Sequence, residues 1–252
     1  MDVLECIKNR RSVSVYKDTP VPDDILEKIL DAGRWAPSGA NSQPVEFVVV
    51  RKKESRKKIR KLVREVWEMS GIDSLNTLLD MMKKSGAMDK SGAMDVTWED
   101  YYNAPVMVIV TSDEDKRGTE YEHVMHYTMS GDAGCAAIQN MQLAAHAMGL
   151  GSFWLTSFDP VRIKYWFSIP KTMGVAGIML LGYPKYWPKA PEQALSTDPR
   201  LYPRRPLEDM VHHGKFDEDK WLNYQLFDPY RLPRKELLRT EKYLRPTNLK
   251  TA

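Results

Sequence analysis

Between residues 130 and 148 the chain carries little bulk, and that restricts how its neighbours can pack. Gly131, Ala133, Gly134, Cys135, Ala136 and Ala137 fill the first half of a helical stretch, and Met141, Ala144, Ala145 and Met148 carry its apolar face onward. Small residues over two turns let another backbone come close, as at a helix–helix or subunit seam. Gly149-Leu150-Gly151 ends the stretch with residues that tolerate left-handed geometry. Asp132 and His146 are polar on this otherwise apolar helix, and structural roles are expected for both.

Other elements follow from periodicity. Val3, Leu4 and Ile7 mark a short first helix ending near Arg10. Val21-Pro22-Asp23-Asp24 opens a second, with proline at an early position, two aspartates at the positive end of the dipole, and Pro37 as its stop. Phe47 to Val50, Val106 to Val110 and Val175 to Leu181 read as buried strands, Phe153 to Leu155 as a short one, and Pro160 to Phe167 as a helix. Residues 54–69 read as an amphipathic helix. After it, Ser85-Gly86-Ala87-Met88-Asp89 recurs as Ser91-Gly92-Ala93-Met94-Asp95, which reads as a lengthened loop. Trp98, Tyr101 and Tyr102 follow, as pocket cover or, more commonly for such aromatics, as packing. Beyond Pro203 the chain is dense in charge, proline and aromatics, a composition suited to an arm lying on another surface.

Composition excludes several classes. With 37 Lys+Arg against 34 Asp+Glu, the formal charge of +3 is too balanced for a nucleic-acid binder. The basic run Arg51 to Arg64 carries Ile59, Leu62, Val63 and Val66 at helical spacing, so it reads as a helix with a solvated face. No apolar run is long enough to cross a bilayer, and no apolar leader opens the chain. Cys6 and Cys135 are far apart and form no CxxC pair, which fits a reducing, cytoplasmic setting. Gly149-x-Gly151 precedes a strand instead of following one, so it is no dinucleotide fingerprint. There is no phosphate-binding GxxxxGK[ST] loop and no Gly-x-Ser-x-Gly elbow, and His123-x-x-His126 has no Cys or third His nearby, so no metal is expected.

Two segments point to a ligand. Arg10-Arg11-Ser12 is a compact anion clamp, two rigid guanidinium forks beside a hydroxyl. Ala36-Pro37-Ser38-Gly39-Ala40-Asn41-Ser42-Gln43-Pro44 is a tight loop of small and amide residues, where a backbone can approach a flat polar ligand. Together they suggest a cofactor with a phosphate at one end and an edge rich in hydrogen-bonding groups at the other.

These segments, with Val13, the small-residue helix ending Gly149-Leu150-Gly151 and Arg204-Arg205-Pro206-Leu207-Glu208, resemble the nitroreductase family of flavoproteins from about residue 4 to residue 212. The resemblance implies an α+β fold of three layers, a central mixed sheet flanked by helices, assembled as an intertwined homodimer with FMN at the interface touched by both chains. It implies an FMN-binding domain over residues 1–212 with a variable lid insert over 70–103, and a C-terminal extension over 213–252 as an arm on the partner subunit. By position, Arg10, Arg11 and Ser12 would hold the FMN phosphate and ribityl chain, and Arg204 would close on the phosphate. Pro37, Ser38 and Asn41 would line the isoalloxazine, Ala40 would meet the substrate, and Thr156 and Ser157 would lie beside the flavin N5 and ring face. Ser14 stands among the cofactor-binding positions, where the family usually has Arg or Lys near the N1–O2 edge.

The implied activity is FMN-dependent oxidoreduction, with NADH or NADPH as donor and a small aromatic, nitro or quinoid acceptor. Within the family, the Pro-Ser-Gly-Ala loop and the length of the 60–105 insert resemble the iodotyrosine deiodinase branch. This leaves reductive dehalogenation of a halogenated phenol as an alternative. Glu65, Glu68 and Lys83 or Lys84 are candidates for that branch's substrate grip, but no Tyr stands between them. A non-catalytic flavin-binding module is the reading from another class. No side chain need act as general acid or base, since solvent can deliver protons.

Overall fold

The computed structural model describes residues 2–69, 100–113, 129–188 and 207–217. The chain divides into two compact units, Met1–Ala190 and Pro191–Ala252. The first contains helices α1 (Val3–Asn9), α2 (Asp23–Arg34), α3 (Lys53–Met69), α4 (Met129–Ala147) and α5 (Pro160–Trp166). Its strands are β1 (Val45–Val50), β2 (Val106–Asp113), β3 (Gly151–Leu155) and β4 (Met173–Gly182). In the second unit the described residues include one short helix, α6 (Leu207–Met210). The internal repeat, Trp98, His123, His126, Lys83, Lys84 and Arg204 lie outside the described residues.

The strands form one sheet in the order β1-β2-β4-β3. Every neighbouring pair is antiparallel, and the parallel pairing among the described residues is the isolated bridge Ser12↔Ser152. The central strands are buried on both faces, which explains their unbroken apolar runs. Met107 and Ile109 of β2 share one face with Ile178 and Leu180 of β4, under Ile59, Leu62 and Val63 of α3 and Ile163 of α5. Val106, Val108 and Val110 share the other with Met179 and Leu181, under Leu26 and Ile29 of α2 and Ile138, Met141 and Ala145 of α4. The sheet is thus the middle of three layers.

Local chemistry sets the helix ends. Asp2 caps α1 by accepting from Leu4 N (3.1 Å) and Glu5 N (3.4 Å), and Asp159 caps α5 by accepting from Val161 N (2.9 Å) and Arg162 N (3.3 Å). Helix α2 gives way at Trp35, two residues ahead of Pro37, as the position before a proline favours. The small residues of α4 bring it onto the chain's own sheet: a Cβ on Gly134 would stand 2.6 Å from Ala176 Cβ. Three residues earlier, a Cβ on Gly131 would meet nothing within 4 Å among the described residues. Tyr101 and Tyr102 are core residues, stacked edge-on at 5.6 Å, with Trp67 and Phe153 beside Tyr102. No described helix is long and apolar enough to cross a membrane.

Candidate functional site

The clamp forms where α1 stops. Arg10 N closes the last turn on Cys6 O (2.9 Å), and Cys6 anchors the helix by donating to Leu143 O of α4 (3.2 Å). The Arg11 guanidinium is fixed from one side, Nη1 donating to Lys8 O (2.6 Å) and Arg10 O (2.9 Å). Its Nε is buried with no acceptor among the described residues. Ser12 then pairs with Ser152 at the start of β3, and Val13 N donates to Ser152 O (2.9 Å). Ser152 is 2 % exposed and its hydroxyl has no protein partner. From the last turn of α4 comes His146, both ring nitrogens buried without a hydrogen-bond partner among the described residues and the ring edge-on to Trp187 at 5.3 Å. Burial first, then the nearby Arg10 and Arg11 charges, push its imidazole below the usual histidine value.

Buried donors without acceptors are costly, about 1–3 kcal/mol each, and rare in native proteins. Such donors concentrated beside two guanidiniums match a bound anion, and these residues fit the phosphate end of FMN.

The second segment is a loop held by its own backbone. Asn41 N donates to Ser38 O (3.1 Å), Ser42 N to Gly39 O (3.0 Å) and Gln43 N to Ser38 Oγ (3.0 Å). Asp113 N donates to Pro44 O (2.8 Å), tying the loop to the end of β2. Ala40 (φ 50°), Asn41 (φ 54°) and Gln43 (φ 47°) are left-handed, whereas Gly39 is not. The alanine and glutamine pay roughly 1 kcal/mol each for that geometry, and strain of this kind gathers at ligand-facing loops. Pro37, Gly39, Ala40 and Asn41 are exposed and Ser38 half-buried.

Thr156 and Ser157 follow β3 directly, the first exposed and the second half-buried, with Phe158 N turning back to Thr156 O (3.1 Å). They share the β3 edge with Ser12 and Ser152, about 13 Å further along the strand. Ser14 departs from this group. It is 8 % exposed, shares a side-chain hydrogen bond with Tyr101, and its carbonyl accepts from Tyr102 N (2.7 Å), so it faces the core.

One chain does not bring the loop to the clamp. β1 and β3 are the two edges of the sheet, three strand spacings or about 14 Å apart. Val45 aligns through Ser112 with Gly174, whereas Ser152 aligns with Leu181, seven residues or about 24 Å further along β4. The two segments therefore occupy diagonally opposite corners, roughly 25–30 Å from each other. Sequence reasoning missed Ser152 and gave His146 only a structural role. The polarity of His146 on an apolar helix was the available signal, and its proximity to the clamp is a long-range contact.

The sequence profile of the nitroreductase family matches residues 7–183. A Methanothermobacter thermautotrophicus protein named for NADH dehydrogenase and NAD(P)H nitroreductase is 33% identical over 189 residues, 73% of this chain and 78% of its own. A Desulfovibrio desulfuricans protein of nitroreductase type, solved in complex with FMN, is 26% identical with a TM-score of 0.54, covering 86% of this chain and 99% of that one. The iodotyrosine deiodinase of Hydra vulgaris is 28% identical over 144 residues, 54% of this chain and 50% of its own. With the family profile spanning most of its length and the three-layer fold beneath it, this chain belongs to the nitroreductase family of oxidoreductases.

Proposed function

We propose that this chain binds FMN and, as a homodimer, passes electrons from NADH or NADPH to a small aromatic, nitro or quinoid acceptor. The observation that carries the reading is the set of buried donors around Arg11 that no acceptor among the described residues meets. Arg10, Arg11 and Ser12 would hold the phosphate and the adjoining ribityl chain, with Arg204 as a further cation. Thr156 and Ser157 lie along the same edge and would orient the ring. Pro37, Ser38 and Asn41 would line the ring from a second copy, since the loop and clamp of one chain sit at opposite corners; Ala40 would face the acceptor. FMN supplies the electron-transfer chemistry when bound. The chain supplies position, cationic donors and exclusion of water, and solvent delivers the protons. Two free cysteines, Cys6 and Cys135, suit a reducing cytoplasm.

Anaerobic mixing of the flavin-loaded protein with NADH or NADPH, then with a nitroarene or a quinone, tests this reading. Bleaching by the nucleotide and recovery with acceptor are expected. A flavin that neither bleaches nor recovers would contradict electron transfer and leave a flavin-binding module.

Similarity to the Hydra deiodinase favours a second reading, reductive dehalogenation of a halophenol. Against it, Glu65 is bonded to Arg162 and paired with Lys61 (4.0 Å), and Glu68 is paired with Arg64 (2.8 Å). Those carboxylates are engaged within the fold. Turnover of a halophenol but not of its methyl ether would establish this reading; equal indifference to both would remove it.

A further inference from the structure

His146 has an environment that a purely structural histidine would not keep. Both ring nitrogens are buried with no partner among the described residues, although a neutral imidazole offers one donor and one acceptor. The charged groups acting on it are Arg10 and Arg11, both beyond the end of α1. The other titratable group of α1 turned to α4 is Cys6, whose thiol donates to Leu143 O and is pushed up mainly by burial. From the segment after β4, Trp187 presents an uncharged ring. Arg11 Nε is likewise buried with no acceptor among the described residues, and an anion between that guanidinium and the imidazole would satisfy both.

We propose that His146 belongs to the phosphate site with Arg10 and Arg11 and donates to the phosphate as the imidazolium, so that one proton is bound together with FMN. The inference rests on the FMN-binding reading and adds a residue to that site. Burial first, and then the two positive neighbours, disfavour the imidazolium when the site is empty of phosphate, and a dianion beside the ring would favour it. Binding therefore takes up a proton, and affinity rises with acidity over the range between the two histidine titrations. The phosphate's own second ionisation works in the opposite direction near pH about 6. Comparison with a variant that lacks the imidazole separates the two effects.

The experiment uses the full chain stripped of flavin, titrated with FMN, riboflavin and inorganic phosphate from pH about 5.5 to 8.5, as wild type and as His146→Gln. At the acid end the variant should bind FMN about tenfold more weakly than wild type, the loss of one charge-assisted hydrogen bond. The ratio should fall toward one at the alkaline end, and riboflavin affinity should be equal in the two proteins throughout. Inorganic phosphate should compete with FMN better in wild type at low pH. Histidine NMR titration of the wild type, with and without FMN, needs no variant and should show one imidazole titrating higher in the complex. A constant FMN affinity ratio across pH, together with no histidine whose titration rises on binding, would overturn the role of His146 while leaving FMN binding intact. Failure of wild type to bind FMN at any pH would overturn the FMN-binding reading and this inference with it.

Discussion

Replacing Arg11 with alanine separates cofactor binding from folding. Two of the bonds made by Arg11 go to carbonyls of its own turn, Lys8 O and Arg10 O, at partly or fully exposed positions. Water replaces them, so their loss should destabilise the flavin-free protein by no more than about 1 kcal/mol. Removing the buried, unpartnered Nε offsets part of that. The same two bonds hold the guanidinium in place, so little side-chain entropy is lost when an anion arrives. A charge-assisted contact of this kind is worth about 1.5–3 kcal/mol, which is about 10- to 150-fold in Kd. Quenching of flavin fluorescence on titration should show FMN affinity falling within that range, with riboflavin affinity changing by less than about twofold. An unchanged FMN affinity, or equal weakening of FMN and riboflavin, would refute the assignment of a phosphate to this clamp.

Three further outcomes follow from other parts of the structure. Gly177→Ala would place a Cβ 2.2 Å from Trp154 Nε1, whose donation to Ala176 O (3.3 Å) fixes the indole across β4; thermal melting should show a loss of about 2–3 kcal/mol or more. Ser14→Arg would put a guanidinium into the core beside Tyr101, so the variant should express poorly or melt early, and a well-folded variant would show that this position reaches the cofactor cleft. In the flavin-free protein the lowered imidazole of His146 contributes stability that is complete above the ordinary value of 6.5 and lost as pH falls through the lower folded-state value. Urea midpoints at pH about 7.5 and 5.5 should therefore fall more for wild type than for His146→Gln.

The parts legible in the sequence were those decided locally. The apolar runs at Phe47, Val106 and Val175 mark strands because two helical layers bury both faces of the central sheet. The ends shift where partners decide: β4 starts at Met173 because Asp113 of β2 pairs with it. The small residues of α4 signalled a close approach, and at Gly134 the neighbour is Ala176 of the same chain. Ser14 could not be placed by analogy, since Val13, Val15 and Tyr16 are buried around it and isolated bridges join Val15 to Tyr101 and Tyr16 to Pro184. The loop was read as one of small and amide residues open to close approach; within it Ala40, Asn41 and Gln43, and not Gly39, take the left-handed geometry. Nothing in their identity announces that for alanine and glutamine. The clamp was legible as charge; Ser152 and His146 join it through contacts some 140 residues away in sequence.

The most direct measurement is the flavin content and particle mass of the purified full-length protein, from its visible spectrum, mass spectrometry of what heat releases, and sedimentation. One FMN per chain on a particle of two chains is the predicted result. A colourless single chain that takes up no added FMN would contradict the central claim, that half-buried guanidiniums and a distant strained loop from another copy together enclose a phosphorylated flavin.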